Sequence, residues 1–172
     1  MSKENRVEVW LNRALEIENR GRDFYLDVSK RAGDAVVGDF FKMLADQELL
    51  HIKIIKDIYN KLGDGNSCWL AGKGNAEPSG LNELFRKVTS DRPSAEAGIL
   101  EAIDNGMKFE NEAREYYEKE LPQATCAEEK DFLTRLAAEE SGHYQMLSDM
   151  KLYYTDPEAW NDQQDNMHLD GV

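Results

Sequence analysis

The sequence predicts an all-α protein: a four-helix bundle of two antiparallel helical hairpins joined by a long crossover that contains a short helix. Three observations predict it. Four long, proline-free segments carry the helical period. The first and third connections between them are only a few residues, whereas the middle one runs from Gly63 to Pro93. The two halves of the chain also repeat at a single offset.

The four segments cover roughly 4–31, 35–62, 94–120 and 126–154. Each presents one stripe stepped by three and four residues, the spacing that keeps side chains on one helix face. In the first segment the stripe is Val7, Leu11, Ala14, Glu18, Gly21, Tyr25 and Val28. Gly33-Asp34 then supplies a helix stop followed by a helix start. The second stripe is Val37, Phe40, Leu44, Glu48, His51, Ile55, Ile58 and Leu62.

Between Gly63 and Pro93 a Gly- and Asn-rich stretch reads as loop. Leu81, Leu84, Phe85 and Val88 follow at the spacing of a short amphipathic helix. The third stripe is Ile99, Ile103, Gly106, Glu110, Ala113 and Tyr117, and Pro122 ends that segment. Thr125-Cys126-Ala127-Glu128 has the spacing of a capping box for the fourth. The fourth stripe is Phe132, Leu136, Glu140, His143, Leu147 and Met150. Residues 1–154 thus form the bundle, and 155–172 an irregular tail in which Trp160 is the residue expected to dock. Short outer connections with one long crossover are the ferritin-like arrangement of four helices.

Glu18 and Glu110, Tyr25 and Tyr117, Glu48 and Glu140, and His51 and His143 are all separated by 92 positions. Every stripe is apolar or small except near its middle, where it carries Glu or Glu and His. A buried carboxylate must be paired, protonated or bound to metal, and no Lys or Arg lies on these stripes to pair with four of them. Each Glu lies about 15 residues from its hairpin turn, which is roughly 22 Å along a helix. The two glutamates of each hairpin therefore face one another.

A single Glu-x-x-His on a helix is weak evidence. Two copies at matched positions, with Glu18 and Glu110 at the same level, are strong. Glu18, Glu48, His51, Glu110, Glu140 and His143 are therefore expected to ligate two metal ions in the pattern of di-iron and di-manganese carboxylate bundles. They are also the expected catalytic residues, with Glu48 and Glu140 as bridges. Tyr25 and Tyr117 are placed around them, as hydrogen-bonding partners of ligand carboxylates. His and carboxylate ligands admit iron, manganese or a mixed pair.

Other features exclude classes of function. The net charge of −13 disfavours nucleic acid and anionic membranes as partners. No apolar run approaches the ~18 residues that cross a bilayer. The start, Met-Ser-Lys-Glu-Asn-Arg, has no apolar signal core, so a cytoplasmic protein is expected. Cys68 and Cys126 form no Cys-x-x-Cys pair, which leaves no rubredoxin-type iron site. His168 reads as a surface residue of the tail.

The stretches Glu18-Asn-Arg-Gly-Arg-Asp-Phe-Tyr25, Glu48-Leu-Leu-His51, Glu110-Asn-Glu-Ala-Arg-Glu-Tyr-Tyr117 and Glu140-Ser-Gly-His143 resemble the rubrerythrin family over roughly residues 4–154. The resemblance implies a non-haem di-iron oxidoreductase that reduces hydrogen peroxide, with peroxide or dioxygen as oxidant, and a homodimer. Many rubrerythrins carry a rubredoxin domain; this chain lacks its cysteines, so an external donor such as a rubredoxin is implied. Rubrerythrins proper bring a further carboxylate on the third helix, where this chain has Ala113. Bacterioferritins place a haem-ligating Met inside the first Glu-x-x-His; Leu49 and Leu50 stand there instead, and no haem is expected. An iron-storage protein and a metal-stabilised bundle without turnover are the alternatives.

Overall fold

The computed structural model describes residues 3–62 and 97–162. They form four long helices: α1 (Lys3–Arg31), α2 (Ala35–Leu62), α3 (Ala97–Glu120) and α4 (Ala127–Thr155). A single 3-10 turn over Leu121–Gln123, holding Pro122, separates α3 from α4. There is no strand among the described residues, and no helix among them is long and apolar enough to cross a membrane. The crossover, with the helix expected over 81–88, Cys68 and Trp69, lies outside the described residues, as does His168.

The α1–α2 turn closes as the sequence suggests. Asp34 caps α2, its Oδ1 accepting from the amides of Val36 at 2.8 Å and Val37 at 3.1 Å. Beyond it Ser29 Oγ donates to the Gly38 carbonyl at 2.7 Å. A Cβ on Gly38 would sit 3.2 Å from the Ser29 carbonyl oxygen, so glycine lets the two backbones close.

At the other turn the capping residue is Cys126, one position later than the Thr125 box implies. Glu129 reaches back: its Oε2 accepts from Thr125 N at 2.7 Å and Thr125 Oγ1 at 3.0 Å. Glu129 is fully buried, and Arg6 of α1 pairs with its other oxygen. That pair ties the start of α4 to α1. The α4 stripe likewise begins at Glu129 and Leu133 rather than at Phe132, which is half-buried. Stepping back from Leu136 by three and then four reaches both residues.

Asp156-Pro157 ends α4, but it also starts a new helical turn. Residues 157–162 are helical rather than irregular. Asp156 Oδ1 accepts from Ala159 N at 3.0 Å, and proline suits a first helical position, where its missing N–H costs nothing. The turn seats Trp160 in the core, edge-on to Tyr153 with ring centroids 5.4 Å apart.

The core has two apolar clusters. One surrounds the α1–α2 turn and includes Tyr25, Val28, Val37, Phe41, Ile99, Ile103, Leu147 and Trp160. The other surrounds the α3–α4 turn and includes Val7, Trp10, Leu11, Ile55, Ile58, Tyr117 and Leu133. The two hairpin turns therefore lie at opposite ends of the bundle. α2 ends beside the second cluster and α3 begins beside the first, so residues 63–96 link opposite ends, and α1 runs antiparallel to α3. Between the clusters lies a layer of buried polar groups.

Candidate metal centre

That layer consists of Glu18 from α1, Glu48 and His51 from α2, Glu110 from α3, and Glu140 and His143 from α4, none more than 3% exposed. All six residues expected from the sequence meet there. Side chains three apart share a helix face, so each His is carried beside its own Glu.

The distances divide the six into two overlapping sets. His51 Nδ1 lies 2.9 Å from Glu18 Oε2, 3.6 Å from Glu48 Oε2 and 3.6 Å from Glu140 Oε1. His143 Nδ1 lies 3.3 Å from Glu48 Oε1, 3.6 Å from Glu110 Oε2 and 3.2 Å from Glu140 Oε2. Glu48 and Glu140 thus turn one oxygen toward each histidine, while Glu18 and Glu110 each serve one. In both sets, Glu18/Glu48/His51/Glu140 and Glu48/Glu110/Glu140/His143, the potential ligand atoms lie within 4.8 Å of one another. The imidazole rings stack at 5.6 Å between centroids.

The electrostatics are those of a site with too much buried charge. Burial, then the charge of Glu48, pushes Glu18 up from 4.5 to about 8. Burial and the charges of Glu18 and Glu48 push Glu140 well above the usual carboxylate range. Burial works on Glu48 in the same direction, but its contacts with Glu18, His143 and His51 outweigh it and hold Glu48 low. Burial disfavours the charged form of both histidines, yet the surrounding carboxylates raise both well above 6.5.

Even so, Glu48 Oε1, Glu110 Oε2, both oxygens of Glu140 and His143 Nδ1 are buried without a hydrogen-bond partner among the described residues. Buried polar atoms are otherwise almost always satisfied. Orphaned carboxylate oxygens converging with imidazole nitrogens fit a divalent cation, and hard oxygen with imidazole suits iron or manganese.

Hydrogen bonds from outside fix the ligands. Tyr25 of α1 donates to Glu110 Oε1 on α3, and Tyr117 of α3 donates to Glu18 Oε1 on α1. The two bonds cross between hairpins and hold the unshared carboxylates. Each histidine also has an outer partner that the stripes did not single out: His51 Nε2 donates to Glu139 Oε2, and His143 Nε2 to Gln47 Oε1 at 2.6 Å. Gln47 and Glu139 each precede a shared Glu and stand 92 positions apart. The repeat held that signal, but the stripes pass over both.

Gly21 is the tightest point beside the centre. A Cβ there would lie 2.7 Å from Phe109 Cε1 and 3.3 Å from the Glu48 carboxyl carbon. At the 92-residue offset the corresponding residues are Ala113 and Ile17, both in the second apolar cluster, with Ala in place of Gly and Ile in place of Phe. Gly21→Ala is expected to cost about 1–3 kcal/mol by overpacking and to weaken metal binding by displacing Glu48. Denaturant unfolding with and without manganese(II) measures both.

A family model described as Rubrerythrin matches residues 10–151. The chain belongs to the rubrerythrin family. Among solved structures, a hypothetical protein from Pyrococcus furiosus superposes with a TM-score of 0.63 at 21% identity, over 88% of this chain and 92% of that one. At that identity the likeness is one of fold. No curated protein matches the chain. As a member of the rubrerythrin family, this chain pairs an all-α bundle with buried Glu and His clusters suited to a metal site.

Proposed function

We propose that this centre holds two iron ions and reduces hydrogen peroxide to water, with electrons from an external donor protein such as a rubredoxin. The observation that carries the reading is the placement of Glu48 and Glu140, each with one oxygen toward His51 and the other toward His143. Membership of the rubrerythrin family supports it. Two ferrous ions, when bound, supply the two electrons that cleave the O–O bond.

The chain's own residues define the setting. Glu18 with His51 and Glu110 with His143 form the two unshared flanks, and the shared carboxylates Glu48 and Glu140 would hold a metal ion on each side. Tyr117 and Tyr25 keep the unshared carboxylates from rotating. The apolar clusters on either side exclude bulk water, which strengthens every charge interaction in the layer. The donor is taken to be external because residues 1–172 hold two cysteines, Cys68 and Cys126, too few for a rubredoxin-type iron site.

Anaerobic loading with ferrous iron, followed by peroxide or dioxygen in separate stopped-flow runs, tests the reading. Two ions per chain and oxidation at least about tenfold faster with peroxide are expected. Faster oxidation by dioxygen would favour iron storage, and failure to take up iron would overturn the proposal.

A further inference from the structure

The polar layer is close to two-fold symmetric. Glu18 corresponds to Glu110, Glu48 to Glu140, His51 to His143 and Tyr25 to Tyr117, all at 92 positions, and the crossed tyrosine bonds obey the same symmetry. One pair in contact with the six breaks it in charge. The outer nitrogen of His51 meets the carboxylate of Glu139, whereas the outer nitrogen of His143 meets the neutral amide of Gln47.

We infer that Glu139 and Gln47 make the two metal positions unequal, so that the first divalent cation enters on the Glu18–His51 side and is held more tightly there. This rests on the two-ion reading above. Both histidines turn Nδ1 toward the shared carboxylates. A neutral imidazole with Nδ1 free to ligate carries its proton on Nε2, and that N–H must donate outward. A carboxylate acceptor draws the proton more strongly than an amide oxygen does. The ring of His51 is thereby made the more electron-rich and the better ligand.

Glu139 reaches His51 from α4, the neighbouring hairpin, with its side chain 38% exposed. Gln47 makes the reciprocal reach from α2 to His143. Each bond therefore ties the hairpins together while setting the basicity of one ligand. Glu139 and Gln47 are positioning residues: they act on a metal through the histidines.

The test uses cobalt(II) as the probe on the full chain, under anaerobic conditions, with chelator competition for affinity and proton NMR for location. At one equivalent, the wild type is expected to show one hyperfine-shifted, exchangeable imidazole N–H, that of His51. Glu139→Gln is nearly isosteric at a partly exposed site, so folding should be retained, as circular dichroism would verify. Its first-ion affinity should fall about 10- to 100-fold, and two N–H signals should share the intensity as the ion distributes over both positions. Gln47→Glu should tighten the second ion by a similar factor. Two bound ions with affinities and N–H signals unchanged by Glu139→Gln would overturn this inference and leave the two-ion reading standing. A wild type that binds no cobalt would overturn both.

Discussion

Glu140→Gln is expected to remove most of the protein's metal affinity and at the same time stabilise the metal-free fold. Both effects follow from its place. Glu140 offers one oxygen toward each histidine, so its loss weakens both metal positions. The loss should exceed the roughly 10–100-fold typical when an outer partner of a ligand is removed.

Without metal, burial and the charges of Glu18 and Glu48 already favour the neutral form of Glu140. A neutral amide of the same shape takes up no proton on folding, so it removes the cost of protonating that carboxyl, about 1.4 kcal/mol for each pH unit above its unfolded value. For a chain of this size that corresponds to roughly 2–4 °C in Tm per kcal/mol. Glu48→Gln should lose metal equally but lower the metal-free stability, because contacts with Glu18, His143 and His51 hold Glu48 ionised and each imidazole would lose one of its carboxylate partners. Metal analysis and calorimetry on both variants decide the matter. Opposite changes in metal-free Tm are expected, and a Glu140→Gln protein that keeps full metal content would remove Glu140 from the ligand set.

The metal-free protein should become less stable as pH rises, and the metal-loaded protein should not. Glu18 is raised to about 8, and Glu140, His51 and His143 are raised as well. For each, folding favours the protonated form. Its contribution is complete below the unfolded value, about 4.5 for the glutamates and 6.5 for the histidines, and is lost as pH rises through the folded value. Glu48 and Glu139 are lowered and act in the opposite sense, but their contribution is lost only as pH falls below the usual carboxylate range.

From about pH 6.5 to 8 these four groups bind more protons folded than unfolded, and stability declines by up to about 1.4 kcal/mol per pH unit for each proton of difference. Metal binding instead requires the ligands deprotonated, so affinity rises with pH. Melting curves at pH 6.5 and 8, with chelator and with manganese(II), should show the gap between the two forms widening. A metal-free Tm that stays flat or climbs over that window would contradict the charge balance described for the layer.

The fold and the six-residue polar layer were legible because both are periodic. A stripe stepped by three and four determines which face of a helix is buried, and at 1.5 Å per residue the distance from a turn determines height. Glu18, Glu48, His51, Glu110, Glu140 and His143 could therefore be placed on one level before any contact was known. Leu133 and Glu129 lie off the expected fourth stripe because a step of four back from Leu136 reaches Phe132, whereas the buried face follows a step of three to Leu133 and then four to Glu129. The helical turn at 157–162 was missed because Asp156-Pro157 reads equally as a stop and as a start.

By itself the sequence determined four helices, their pairing into hairpins, and a layer of six ligand-type side chains repeated at 92 positions. Tertiary structure alone decided which atoms meet. It turned the two oxygens of Glu48 and Glu140 toward different histidines, crossed the tyrosines between hairpins, and brought Glu139 to His51 and Gln47 to His143. The reason is geometric. Periodicity specifies a face and a height within one helix, but contacts between helices depend on their relative rotation and on side-chain rotamers. Those are set only when all four helices pack at once.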